Sequence, residues 1–262
     1  MPFCVPEART ATCVALTPPV CWICGTRRAD SGEHRFKASD VRAVAPRVSQ
    51  STPSYLQLNS KATNTQIGSA RADKLKFARS ICTECNSTLT QPYDLAWESL
   101  SSYLRSNWPT IARRGQFDLS KPFPGSTRTA ALHVHLYFVK LFGCKLHADL
   151  VPVDLAPFSR ALLTGTAHPE ISLTVAEHPV GDRILAYDSE VHTMRDRGGD
   201  LHGALWAYVV REAAIKIGYI RAGAALHVVG HPWHPSRPGK IVKLSAYRGA
   251  TEPDAGTGGL RP

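Results

Sequence analysis

Two stretches decide how this chain is read: CWICGTRRADSGEH at residues 21–34 and CTECN at residues 82–86. Each carries two cysteines separated by two residues. That gap lets a tight turn aim both sulfurs at one ion, and two such turns complete a tetrahedral Cys4 site for zinc. Gly25, directly after the first pair, fits the turn. With Cys21, Cys24, Cys82 and Cys85 filling all four places, none is left for water, so the expected zinc is structural. No thioredoxin-like strand–turn–helix pattern surrounds either pair, which argues against redox thiols. The chain has 7 cysteines, an odd number that cannot all pair internally. In a reducing compartment, closely spaced cysteines hold metal more often than they form disulfides.

Around these pairs the sequence is strongly basic. From Arg27 to Arg79 eleven Lys or Arg stand against four acids, a net of +7, and the whole chain of 262 residues carries +10. Such a balance favours an anionic partner, and Arg35, Lys37, Arg71, Lys74, Lys76 and Arg79 are the expected phosphate contacts on DNA. No helix-turn-helix or RNA-binding signature accompanies them, so sequence-specific readout is not indicated. At 43% hydrophobic and 20% charged the composition is that of a globular protein, not of a collagen, coiled coil or disordered chain. The early uncharged stretch Thr10–Thr26 is too short and too broken by Pro18 and Pro19 to span a bilayer. It also lacks the form of a signal peptide, so the expected location is cytoplasmic, away from any membrane.

Between the cysteine pairs lies Glu33-His34, and Asn86 follows Cys85 directly. Together, Cys-x-x-Cys-Gly, Glu-His and Cys-x-x-Cys-Asn resemble the zinc-stapled branch of the HNH endonuclease family over residues 21–105. The resemblance implies a ββα-metal fold and a metal-dependent endonuclease that hydrolyses phosphodiester bonds in DNA, in defence or in a mobile element. It implies that Glu33 and Asn86 hold a catalytic divalent ion, Mg²⁺ or Mn²⁺, and that His34 is the general base. A neutral imidazole can accept a proton at neutral pH, and oxygen ligands suit a hard cation acting as Lewis acid on the phosphate. The family's middle Asn is missing from the segment before the second pair, Lys76–Ile81. That feature favours an alternative, a non-catalytic zinc module that binds nucleic acid or protein.

The remaining organisation follows from composition and periodicity. Residues 1–20 read as a flexible arm and 21–114 as the zinc-stapled, HNH-like domain, with a long basic insertion that includes the polar loop 49–70. Tyr93, Trp97, Leu100 and Leu104 recur at helical spacing, which predicts a helix over 92–105. Pro109, Pro122, Pro124 and Gly125 suggest a linker at 106–126. An α+β domain follows at 127–248, with a helix over 130–146 that is apolar on nearly all sides, and short strands at 171–176, 184–188, 226–229 and 241–247. Residues 205–220 fit either strand or helix. This second domain is the expected place for a protein partner or self-association. The tail from 249 to 262 reads as disordered. His133 and His135 fall on different helix faces, while His227, His231 and His234 read as ordinary loop histidines. Asp182, Asp188, Glu190 and Asp196 read as surface or turn acids, and Cys144 as a core residue. The fold class expected overall is α+β, an HNH-like unit followed by a second α+β unit.

Overall fold

The computed structural model describes residues 19–57, 64–178, 186–224 and 230–246. Nearly all of the arm 1–20, the tail from 249, the strand expected at 226–229, Cys4, Cys13, Asn59, Lys61, Asp182 and His227 lie outside those residues. The chain is mixed α+β. In order, the elements are α1 (Ala38–Val44), β1 (Ser54–Gln57), β2 (Asn64–Ile67), α2 (Gln91–Arg114), β3 (Gln116–Asp118), α3 (Thr127–Ala148) and α4 (Ala156–Thr164). Then follow β4 (Ile171–Glu177), β5 (Ala186–Asp188), β6 (His192–Arg195), β7 (Leu201–Val210), β8 (Ala213–Ile220) and β9 (Ile241–Ser245).

The sheet runs β2-β1-β5-β7-β8-β4-β9-β3, with β6 paired to β7 beyond the end of β5. Its centre is the antiparallel run β7-β8-β4, in register from Val210↔Ala213 to Gly203↔Ile220 and from Glu177↔Ala213 to Ile171↔Tyr219. The ambiguous stretch 205–220 is thus a hairpin, turning at Arg211 with φ 52°. Period-two alternation decides it: Trp206, Tyr208 and Val210 join the main core, while Val209 joins Ala176 and Ala214 in a small cluster of opposite parity.

Helices α2, α3 and α4 cover the main face. Trp97 of α2 stacks on Tyr137 of α3 at 5.6 Å and meets Tyr208 of β7 edge-on at 5.7 Å. Phe142 of α3 stacks on Trp206 at 6.1 Å, and Phe158 of α4 meets Tyr219 of β8 at 6.0 Å. Such ring pairs add about 0.5–1.5 kcal/mol each beyond area burial. Asp40 on α1 ties the layers together. Its buried carboxylate accepts hydrogen bonds from Trp97 Nε1 at 2.9 Å, Tyr208 OH at 2.8 Å and Ser101 Oγ at 2.5 Å, and pairs with Arg105.

Three expectations from sequence change here. The stretch 106–126 does not behave as a linker. Helix α2 continues to Arg114 through Pro109, which sits on its exposed side while Trp108 and Ile111 are buried. Directly afterwards β3 pairs with β9. Within the polar loop 49–70, β1 and β2 pair antiparallel from Ser54↔Ile67 to Gln57↔Asn64. A single hydrophobic cluster runs from Cys21 through α2 and α3 to Val242, so residues on both sides of 106–126 share one core. The helix expected over 130–146 is present as α3, and Cys144 is fully buried on it. Among the described residues, no helix is long and apolar enough to cross a membrane.

Candidate metal centre

The two cysteine turns are built differently. In the first, Val20 bridges Arg28, Cys21 N–H donates to Arg27 O at 2.8 Å, and Gly25 N–H donates to Cys21 O at 2.8 Å. Gly25 has φ +66°, the left-handed conformation that costs glycine little, so the chain can turn back there. The second pair opens a helical segment. Asn86 N–H donates to Cys82 O at 3.0 Å, and residues Cys85–Leu89 form a π-turn before α2 begins. Thr90 Oγ donates to Cys85 O at 2.9 Å, which satisfies a carbonyl that the wide turn leaves open.

The four sulfurs of Cys21, Cys24, Cys82 and Cys85 lie within 4.8 Å of one another, and Cys24 and Cys82 approach to 3.9 Å. Among the described residues, none of them forms a disulfide. Four sulfurs at about 2.3 Å from one ion stand just under 4 Å apart, so the cluster can hold a metal ion such as zinc. Ionised sulfurs this close repel one another, a repulsion that a cation between them would relieve. Burial and the neighbouring sulfurs hold the Cys85 thiol well above the usual cysteine range. Burial also opposes ionisation of Cys24, but hydrogen bonds from Thr26 and the Arg27 backbone outweigh it and bring that thiol down to about 6. The Arg27 side chain reaches Cys82.

The first turn is docked on the helices. A Cβ on Gly143 of α3 would come within 2.6 Å of the Trp22 ring, so the indole lies directly against that glycine. Ser159 Oγ of α4 donates to Ile23 O. An antiparallel arm runs between the two turns: Ser31 bridges Ile81 and His34 bridges Lys76.

Glu33, His34 and Asn86 all belong to this arm and its helix, but the Glu33 and Asn86 side chains have separate partners. Glu33 is 3% exposed, and its carboxylate is 2.8 Å from Lys140 Nζ, a fully buried lysine of α3. Lys140 also pairs with Asp94 at 2.9 Å and donates to Thr90 Oγ at 3.2 Å. Burial alone would lower the Lys140 pKa; Glu33 and Asp94 outweigh it and hold the ammonium above the ordinary lysine value. Asn86 donates its amide N–H to Ser31 Oγ at 2.9 Å. The half-buried His34 has a buried Nε2 with no hydrogen-bond partner among the described residues, and burial holds its pKa below the usual histidine value against the pull of Glu33. This donor set does not fit a catalytic Mg²⁺ or Mn²⁺, because an ammonium already neutralises the Glu33 carboxylate. The neutral imidazole fits a proton acceptor.

The expected phosphate contacts divide. Arg35 pairs with Asp188 at 2.9 Å and lies 4.6 Å over the Phe77 ring. Lys37 pairs with Asp94 at 3.4 Å and Glu98 at 3.5 Å, and Lys76 pairs with Asp73 at 2.8 Å. Arg71, Lys74 and Arg79 are exposed. Asp188, expected at the surface, is fully buried between Arg35 and Lys145; burial raises its carboxyl to about 6 against those two cations.

Sequence reasoning missed Lys140 and Asp94, and also a histidine cluster. His135 Nε2 accepts the His168 N–H at 3.1 Å, His234 Nε2 lies 3.1 Å from His168 O, and the His135 and His234 rings are 4.9 Å apart. The long sequence separations conceal this cluster, since only the fold brings 135, 168 and 234 together. A scan against protein-family models matched none, and searches of the curated proteins and of the solved structures found no match.

Proposed function

We propose that this protein binds nucleic acid through a zinc-stapled unit on an HNH-like frame, residues 21–105, with no catalytic ion at Glu33. Zinc in the Cys4 cluster is the metal this reading assigns, because thiolate ligands in a closed tetrahedral set suit it. The observation that carries the reading is the division of charge along residues 27–79. Arg35 and Lys37 serve largely buried pairs, whereas Arg28, Arg71, Lys74 and Arg79 stay exposed on and beside the arm that the cysteines staple, with Lys76 in a surface pair to Asp73. Exposed cations of this kind contact phosphates and carry no base information. DNA is the expected partner, and binding should weaken steeply with salt. Changing Arg71, Lys74 and Arg79 together to Glu should lower the affinity of the zinc-loaded chain for duplex DNA at least about tenfold, alike for all sequences. Unchanged binding by that variant would remove the basis of the proposal.

A second reading, the HNH-type endonuclease, is favoured by His34. The neutral imidazole is the protonation state a general base needs, and its enclosed Nε2 has to be uncovered before an attacking water can reach it. The two readings separate on supercoiled plasmid incubated with Mg²⁺ or Mn²⁺. Nicking by the wild type that is lost in His34→Ala supports the enzyme. Binding without nicking supports the module.

A further inference from the structure

We infer that the cleft at the start of α3 is a nucleotide site, taking a phosphate on its cations and a base against Trp233. The cleft encloses about 640 Å³. That volume lies in the usual range for small-ligand sites, about 300–1,000 Å³. Its walls come from three distant places: Ser120 in the turn after β3, Thr127 and Arg128 at the start of α3, and Trp233, Arg237 and Lys240 on the loop that leads into β9. Among the described residues that line it there is no acid. Asp118, outside the lining, is the carboxylate that feels Lys240, and it accepts the Ser120 N–H at 2.8 Å.

The polar and flat parts of the cleft are both anchored. Arg237 donates from Nη1 to Pro232 O at 3.1 Å, which restrains its guanidinium and leaves its other N–H groups for a ligand. Trp233 exchanges backbone hydrogen bonds with Leu173 of β4 at 2.9 and 2.6 Å, and its half-buried indole belongs both to the cleft wall and to the edge of the core. Restrained groups lose less entropy on binding. Arg and Lys without carboxylates select an anion, and the planar guanidinium suits the oxygens of a phosphate. A tryptophan face stacks on any nucleobase. The first backbone N–H groups of α3 add to the same preference, since its first turn holds no acid and no side-chain cap. The ligand is therefore a nucleotide, either free or within a single strand. The inference uses no residue of the zinc unit and stands apart from the function proposed above.

The test is calorimetric titration of the full, zinc-loaded chain with adenosine monophosphate, with inorganic phosphate and with a single-stranded DNA ten-mer. One-site binding of the monophosphate, tighter than about 1 mM and weakened at least about tenfold in R128E/K240E, assigns a free nucleotide. Binding of the ten-mer alone, lost in the same variant, assigns a strand. Both variant positions are exposed, so zinc content and melting temperature should match the wild type. In Trp233→Leu the nucleotide should weaken while phosphate is unaffected. The proposal is overturned if none of the three probes saturates, if R128E/K240E binds as the wild type does, or if phosphate binds as tightly as the monophosphate.

Discussion

At the scale of single residues, Lys140 shapes the candidate site most. It is fully buried, yet three partners at 2.8, 2.9 and 3.2 Å keep it charged. Removing one member of a buried ion pair leaves an uncompensated charge, which costs about 3–5 kcal/mol. Lys140→Ala should therefore lower the unfolding free energy of the zinc-loaded chain by about that amount, measured by urea denaturation. Loss of less than about 1 kcal/mol would mean that Glu33 and Asp94 do not depend on the ammonium. Little of this was legible in the sequence. The run 130–146 shows a helix that is apolar nearly all round, and a lysine there reads as an outward-facing exception. Its partners lie on the arm and on α2, and periodicity carries no information about contacts between elements. Glu33 and His34 were legible as a motif, but the pairing of Glu33 was not.

At the scale of elements, the join between α3, the chain before β4 and the loop before β9 is made by His135, His168 and His234. Burial lowers the pKa of His168 to about 4 and holds His135 well below its ordinary value. His34 is lowered too, also by burial. A histidine depressed in the folded state is protonated first in the unfolded chain, so its stabilising contribution is full above about pH 6.5 and is lost as pH falls towards the folded value. Asp188, raised to about 6, acts in the opposite direction over much of that window, but it is one group against four, since burial lowers His133 as well. Thermal stability should fall between pH 6.5 and 4, and His168→Gln should flatten that fall, its share reaching about 3 kcal/mol at the acid end. A melting temperature that is flat across the window, or an equal slope in the variant, would contradict the assignment. The element types themselves were partly legible. Helical spacing found α2, a long run apolar on nearly all sides found α3, and short β-rich runs found β4 and β9. The linker at 106–126 was misread because Pro109 and the later turn residues suggest a break. Burial of Trp108 and Ile111 carries the helix on, and β3 enters the sheet at once.

At the scale of the whole molecule, the cysteine cluster ties a sequence-distant arm to a core that both halves of the chain share. The Trp22–Gly143 contact and the Ser159–Ile23 hydrogen bond join the first turn to α3 and α4, so the cysteine cluster is fixed against the helices. The Cys4 arrangement was legible because two short spacings encode it locally. The shared core was not, since it depends on β1 pairing with β5 and β3 with β9 across long separations. The central claim is that Cys21, Cys24, Cys82 and Cys85 hold one structural zinc. X-ray absorption on the purified chain, with metal analysis of the same sample, tests it most directly. One zinc per chain with four sulfur neighbours at about 2.3 Å is the predicted result, and Cys82→Ser should lose both the zinc and the ordered arm. A chain that folds without zinc, or a zinc coordinated by nitrogen and oxygen, would contradict the account.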